Sequence, residues 1–173
     1  ITNSGTAITS VVTVTARTSD SNRREISTIM IPSGTPGFIV EPAYDKLGWH
    51  ISDTHGLTFD DCRVPEENLL GRRGKGFAQF LAVLDDGRIA IAALAVGLAQ
   101  ACLEHSVRYA GERHTFGEPI ASRQAVAFSL SDLAVSVEAA RLLTYKAAAL
   151  KDAGRSASEL KQAAAIAKLY ATE

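Results

Sequence analysis

Leu84-Asp85-Asp86-Gly87-Arg88 and Arg113-His114-Thr115-Phe116-Gly117 bracket the stretch whose reading decides this fold. Apolar residues recur through it at three- and four-residue steps: Phe77, Phe80, Leu81, Leu84, Ile91, Leu94, Leu98 and Cys102. That spacing is the signature of an amphipathic helix. It persists from residue 77 to about Gly111, roughly 35 residues or ~50 Å of helix at 1.5 Å per residue. Gly87 and Gly97 each cost such a helix about 1 kcal/mol. Close packing against another helix would offset that cost. The stretch therefore predicts one long helix with a charged spot near its start and an Arg-x-x-Phe-Gly element just past its end. Both charged spots are candidates for contact with a large anionic ligand.

Towards the N-terminus the pattern changes at a glycine loop, Gly71-Arg72-Arg73-Gly74-Lys75-Gly76. Ahead of it lie short runs with strand character. Residues 8–16 are rich in Val and Thr, and Val12, Val14 and Ala16 alternate with Thr13 and Thr15. Ser19 to Asn22 reads as a turn. Residues 26–31, 38–40 and 56–59 are further strand candidates. Residues 62–64 form a possible fifth, closed by Pro65. About sixty residues are too few for a complete barrel, so more strands are expected ahead of Ile1. Neither end reads as a natural terminus: Ile1 is not Met, and Glu173 falls inside a helical pattern with no stop signal. The chain is therefore read as an internal piece of a longer protein.

Towards the C-terminus, Gly117-Glu118-Pro119 turns the chain. A second helix is predicted over 123–152, with Val126, Leu130, Leu133, Val137, Ala140 and Leu143 on one face. Gly154 is placed to end it. Ser156 followed by Glu159 is a capping-box pair that opens a third helix carrying Leu160, Ala163, Ile166 and Tyr170. Short loops between long helices give antiparallel packing. The expected fold class is α+β: a partial antiparallel β-barrel or sandwich followed by an antiparallel up-and-down helical bundle. The expected domain division is 1–71 and 72–173.

Composition narrows the function. The chain has 173 residues, 46% of them hydrophobic, and a formal net charge of −1. That balance gives no support for a nucleic-acid surface. No apolar run approaches the ~20 residues needed to cross a membrane. No secretory signal opens the chain. Cys62 and Cys102 have neither metal nor redox spacing and read as buried free thiols, which favours a reducing compartment. His50, His55, His105 and His114 form no metal-ligand spacing. They read as surface or loop histidines, and no metal is expected. Gly71-x-x-Gly74-x-Gly76 lacks a preceding buried strand and is a weak phosphate cradle.

Two constellations remain. Asp85 and Arg88 sit three apart on one helix and read as an ion pair worth a few tenths of a kcal/mol. They also border an apolar stripe, where an unpaired charge is costly, so a polar ligand there is the competing reading. Arg113 lies at a helix C-terminus, where the dipole favours a cation in any case. That does not explain why Phe116 and Gly117 follow at once in a loop. Arg, aromatic and the Gln124 amide around one turn are suited to a phosphate and a flat heterocycle.

The chain resembles the acyl-CoA dehydrogenase family. The resemblance rests on Ile1-Thr2-Asn3, Lys46-Leu47-Gly48-Trp49, Ser52-Asp53-Thr54, Val64 to Gly71, Gly74-Lys75-Gly76-Phe77, Leu84 to Arg88, Glu112 to Ile120, and Gln124-Ala125, in family order over nearly the whole chain. It implies a subunit with an N-terminal helical domain, a middle β-domain and a C-terminal bundle. This chain would hold the second half of the β-domain and the first helices of the bundle. It also implies an FAD enzyme that removes the α-hydrogen of an acyl-CoA as a proton and the β-hydrogen as hydride to flavin N5. The product would be a trans-2-enoyl-CoA, and electrons would pass to an electron-transfer flavoprotein. It further implies a homotetramer, as family members usually are, in a bacterial cytoplasm or a mitochondrial matrix.

Carried over residue by residue, the resemblance places Ile1 and Thr2 against the flavin ring, and Asp85 and Arg88 at the acyl-CoA. It places Arg113, Thr115, Phe116 and Gln124 at the FAD of a neighbouring subunit. No catalytic residue is expected within the chain. The usual base is a Glu beyond Glu173, and the position that carries it in a minority of relatives is Gly87 here. An acyl-CoA oxidase or a flavin monooxygenase on the same scaffold, or a non-catalytic helical assembly module, are the alternatives.

Overall fold

Residues 10–173 are described in the structure, a computed structural model. Ile1 and Thr2 lie outside the described residues, as do the first residues of the strand expected from residue 8. The chain divides between Leu81 and Ala82 into two compact units.

The first unit holds two antiparallel strand pairs. β1 (Val11–Arg17) pairs with β2 (Ile26–Pro32) from Val11 opposite Pro32 to Arg17 opposite Ile26. Side chains of β1 alternate between exposed and half-buried, with Val12, Val14 and Ala16 inward, as period-two patterning requires. The turn between them is closed locally: the Asn22 N–H donates to Ser19 Oγ at 3.1 Å, and the Arg24 N–H to Asn22 Oδ1 at 3.1 Å. β3 (Phe38–Ala43) pairs with β4 (His55–Phe59) across a bulge between Val40 and Ala43. The Phe38 and Phe59 rings stack with centroids 5.2 Å apart. Gly37 precedes β3 at φ 80°, where an added Cβ would lie 2.0 Å from the Asp60 carbonyl oxygen. Only glycine fits there.

The expected fifth strand over 62–64 does not form. The chain instead makes a single 3-10 turn, Glu66–Asn68, after Pro65. It then reaches back to β2: Asn68 Nδ2 donates to the Met30 carbonyl at 2.9 Å, the Leu70 N–H to the Thr28 carbonyl at 2.8 Å, and Leu69 bridges Ile29 antiparallel. One side-chain amide and one residue of pairing thus satisfy a strand edge that a full strand would otherwise cover. Among the described residues the sheets remain separate two-stranded pairs and no barrel closes.

The glycine loop is a packing device. The Gly74 N–H donates to Ser27 Oγ at 2.9 Å, and an added Cβ on Gly76 would lie 2.5 Å from the Ser27 carbonyl carbon. Arg73 Nε donates to Glu25 at 2.7 Å, and that guanidinium, above all, holds the Glu25 carboxyl below its ordinary pKa. These glycines therefore bring the loop onto β2 and are not arranged around a phosphate.

Helices follow: α1 (Gly76–Glu112), α2 (Gln124–Asp152) and α3 (Ala157–Thr172). In the second unit, Arg141 Nη2 donates to Gln100 Oε1 at 2.5 Å and Lys151 pairs with Asp86 at 2.8 Å, so α2 runs antiparallel back along α1. Gly154 at φ 61° ends α2. Ser156 and Glu159 form the reciprocal capping box at the start of α3.

The expected apolar stripe on α1 is not the buried one. Ile91, Leu94, Leu98 and Cys102 are exposed, Leu98 by 69%. The face that packs is Ile89 and Ala92, in a core with Leu143 and Ala147 of α2 and Ala163, Ala167 and Ala171 of α3. The reason is the makeup of the helix. α1 is apolar around most of its circumference, so periodicity alone selects no unique face. The contact is made at small residues, with Ala92, Ala147 and Ala167 buried together. Small residues are also the buried ones on α3, Ala164 and Ala167, while the expected Ile166 and Tyr170 stay exposed. On α2 the expected face holds, with Val137 and Ala140 buried and Val126, Leu130, Leu133 and Leu143 half-buried.

The packing expected at Gly87 and Gly97 is also absent. An added Cβ at either would meet no heavy atom within 4 Å. The cysteines are free, but Cys62 is only half-buried and Cys102 is exposed. No helix among the described residues is long and apolar enough to cross a membrane.

Candidate functional site

The first constellation forms as an ion pair. Arg88 Nη1 donates to Asp85 Oδ1 at 2.5 Å, with Arg88 38% and Asp85 24% exposed. A partly exposed pair of this kind contributes only a few tenths of a kcal/mol. Its effect is on geometry. One of the guanidinium's five donors is committed to Asp85, which orients the group, and the rest make no hydrogen bond within the described residues. Arg88 borders a surface cavity of about 260 Å³ with Leu84, Gly87, Ile91 and Lys168. Gly87 leaves that side of the helix open next to the arginine. The absence of a side chain, which rules out a base at this position, is what makes room there.

The second constellation is a two-residue hairpin closing the α1–α2 connection. β5 (His114–Thr115) pairs with β6 (Glu118–Pro119), and the Ile120 N–H donates to the Arg113 carbonyl at 2.8 Å. Phe116 and Gly117 form the tip at φ 53° and 82°, the left-handed values that a tight hairpin turn requires at both central residues. Gly117 takes this conformation freely. Phe116 takes it under strain and is 95% exposed. The Arg113 side chain is exposed and makes no hydrogen bond or ion pair among the described residues. Gln124 is exposed at the first position of α2.

Sequence reasoning missed Arg123. Its guanidinium lies 5.4 Å from the centre of the Phe116 ring, and Nη2 donates to the Thr115 carbonyl at 2.9 Å. The available signal was an arginine where a helix start favours Ser, Thr, Asp or Asn.

The two constellations sit towards opposite ends of α1. Twenty-five residues separate Arg88 from Arg113, about 37 Å of helix, too far for one small group to contact both. Among the described residues no group of three or more His, Cys, Asp or Glu side chains is placed to hold a metal ion. His55 is not a bare loop histidine as expected. Its side chain is 14% exposed, with Nδ1 2.6 Å from the Glu41 carbonyl and Nε2 2.5 Å from Asp53 Oδ1. The Glu41 carbonyl, above all, raises its pKa above the ordinary value; burial opposes this, and the Asp53 carboxylate adds to the rise.

Residues 74–173 match the model of the acyl-CoA dehydrogenase C-terminal domain. A probable acyl-CoA dehydrogenase of Bacillus subtilis, YngJ, is 47% identical over 173 residues, which is 100% of this chain and 45% of that protein. The mitochondrial short-chain specific acyl-CoA dehydrogenase of Rattus norvegicus is 45% identical over 100% of this chain and 41% of its own length. The solved butyryl-CoA dehydrogenase of Megasphaera elsdenii superposes with a TM-score of 0.91 at 41% identity, covering 98% of this chain and 43% of that one. The chain thus spans less than half the length of the relatives it matches. With the α+β architecture, the Asp85–Arg88 pair and the Arg113–Phe116 turn in place, these matches show that the chain belongs to the acyl-CoA dehydrogenase family.

Proposed function

We propose that this chain is the substrate- and cofactor-contacting part of an FAD-dependent acyl-CoA dehydrogenase, with residues 1–71 ending its middle β-domain and 72–173 beginning its helical bundle. The observation that carries the reading is Arg88, held by Asp85 beside an open cavity at Gly87. A fixed guanidinium with uncommitted donors suits the polar part of a thioester ligand, while Leu84 and Ile91 offer apolar contact. The Arg113 turn suits a flavin dinucleotide: a guanidinium with no partner among the described residues for phosphate oxygens, an exposed ring for a flat group, and the Gln124 amide. Ile1 and Thr2 are assigned to the flavin ring on sequence similarity alone.

When bound, the flavin would accept the β-hydrogen as hydride. The residues of this chain hold, orient and shield. The role of taking the α-proton is assigned to a Glu outside the chain, since the position that carries the base in a minority of relatives is Gly87 here. The finished protein is proposed to be a homotetramer that passes electrons to an electron-transfer flavoprotein and acts in a bacterial cytoplasm or a mitochondrial matrix.

The test uses the full-length protein. Arg88→Ala should lower kcat/KM for a short-chain acyl-CoA by at least ~10-fold, the effect of one lost charged hydrogen bond, with flavin absorbance per protein unchanged. An unchanged kcat/KM would remove Arg88 from the substrate site. Arg113→Ala should lower flavin content and, because the cofactor bridges subunits in this reading, loosen the oligomer on dilution. Full flavin and an undiminished oligomer would reduce Arg113 to a helix-end charge.

A further inference from the structure

We infer that Arg123 is a positioning residue for the cofactor, holding the Phe116 ring in the orientation that meets the flavin dinucleotide; this rests on the FAD reading of the Arg113 turn. Three observations converge. First, Phe116 adopts φ 53° and is 95% exposed. An aromatic residue in the left-handed region is strained, and exposure gives no packing in return. Such an arrangement suits a ring displayed to something that binds it.

Second, the ring has a tethered neighbour. The Arg123 guanidinium lies 5.4 Å from its centre and is itself tethered to the Thr115 carbonyl at 2.9 Å. The planar fork lets one side chain do both: hydrogen-bond the backbone at one edge and present a face to the ring.

Third, arginine is a poor choice for the helix it precedes. Arg123 occupies the N-cap position of α2 at φ −78° and ψ 121°, and its side chain makes no capping hydrogen bond. A cation there faces the positive end of the helix dipole, and Ser or Asp would cap the free N–H groups that Arg leaves to solvent. Helix stability does not account for Arg123. The turn does.

This separates two effects that a structural role would move together. In the full-length protein, Arg123→Ser should leave the melting temperature of the flavin-free form unchanged or raise it, because a cap is gained and a like charge removed. The same variant should release FAD faster, by about two- to fivefold, the size of an exposed cation–π contact. The readout is the rise of free-flavin fluorescence after dilution. Because Arg123 acts through the ring, Arg123→Ser should add nothing in a Phe116→Ala background. Arg123→Lys should not restore slow release, since an ammonium keeps the charge and loses the fork. Unchanged release in Arg123→Ser, an undiminished effect in the Phe116→Ala background, or full rescue by lysine would each overturn the assignment. If Arg113→Ala and Phe116→Ala also keep FAD as tightly as the parent, the FAD reading of the turn falls with it. If those two release FAD and Arg123→Ser does not, only the role of Arg123 falls.

Discussion

Two loops of this protein share an unusual feature and use it differently. The loop between β3 and β4 and the turn between α1 and α2 each carry an exposed aromatic residue at positive φ: Trp49 at 57° and Phe116 at 53°. In the first loop the charged groups are spent on the loop itself. Lys46 Nζ donates to the Trp49 carbonyl at 2.9 Å, the Ser52 carbonyl at 2.5 Å and Thr54 Oγ1 at 2.9 Å. All three ammonium protons thus have partners. His55 is held by the Glu41 carbonyl and Asp53 in the same region. In the second, Arg113 makes no side-chain bond among the described residues, and Arg123 lies against a ring and donates to one carbonyl. Charged groups whose hydrogen-bonding capacity is consumed internally fix a backbone. Those that are pre-positioned yet unsatisfied are available to a ligand. The first loop clamps the peptide at its aromatic residue, and the second clamps the aromatic side chain.

The largest effect should come from breaking the saturated loop. Lys46→Met keeps the stem and removes three donated bonds, at a cost on the order of 2 kcal/mol, visible as a lower urea midpoint with an unchanged slope. A loss below a few tenths of a kcal/mol would mean that water replaces Lys46 without penalty and that the loop is not built around it.

A smaller effect of opposite sign sharpens the contrast. Phe116→Gly removes the left-handed strain and exposes no core, so stability should rise by about 1 kcal/mol while flavin retention falls. Trp49→Gly should give a similar gain with flavin unaffected. Equal flavin loss in both variants would erase the distinction between the loops.

The smallest effect is confined to pH. The Glu41 carbonyl can only accept a hydrogen bond, so Nδ1 carries a proton, and a second proton on Nε2 is donated to Asp53. His55 therefore has a raised folded pKa. The stabilisation from it is fully present below the ordinary histidine pKa of about 6.5 and is lost as pH rises through the folded value. The difference in unfolding free energy between the parent and His55→Gln should be larger near pH 5.5 than near pH 8.5. A difference independent of pH would show that the ring is held neutral.

Much of this was legible beforehand for physical reasons. Strand alternation in Val11–Arg17, the Ser156–Glu159 box and Gly154 are local patterns, written in neighbouring residues and satisfied by neighbouring backbone. Asp85 and Arg88 are three apart on one helix, so their pairing needs no tertiary information. The 62–64 segment was misread because a short Cys-Arg-Val run closed by Pro65 says nothing about which partner edge is open. Asn68 and Leu70 had already taken the free groups of β2.

The sequence by itself determined where the three helices and four of the five expected strands lie, which family the chain resembles, and which residues carry charge at its two turns. Those are properties of short windows, where backbone hydrogen bonding and side-chain period act within a few residues. Tertiary structure alone decided which face of α1 is buried, since the period of a helix apolar on several sides selects none; the buried one bears Ala92, against Ala147 and Ala167. It also decided that Arg123 and not Arg113 holds Phe116. That depends on a hairpin bringing residue 123 back over residue 116, a proximity set by chain reversal in space.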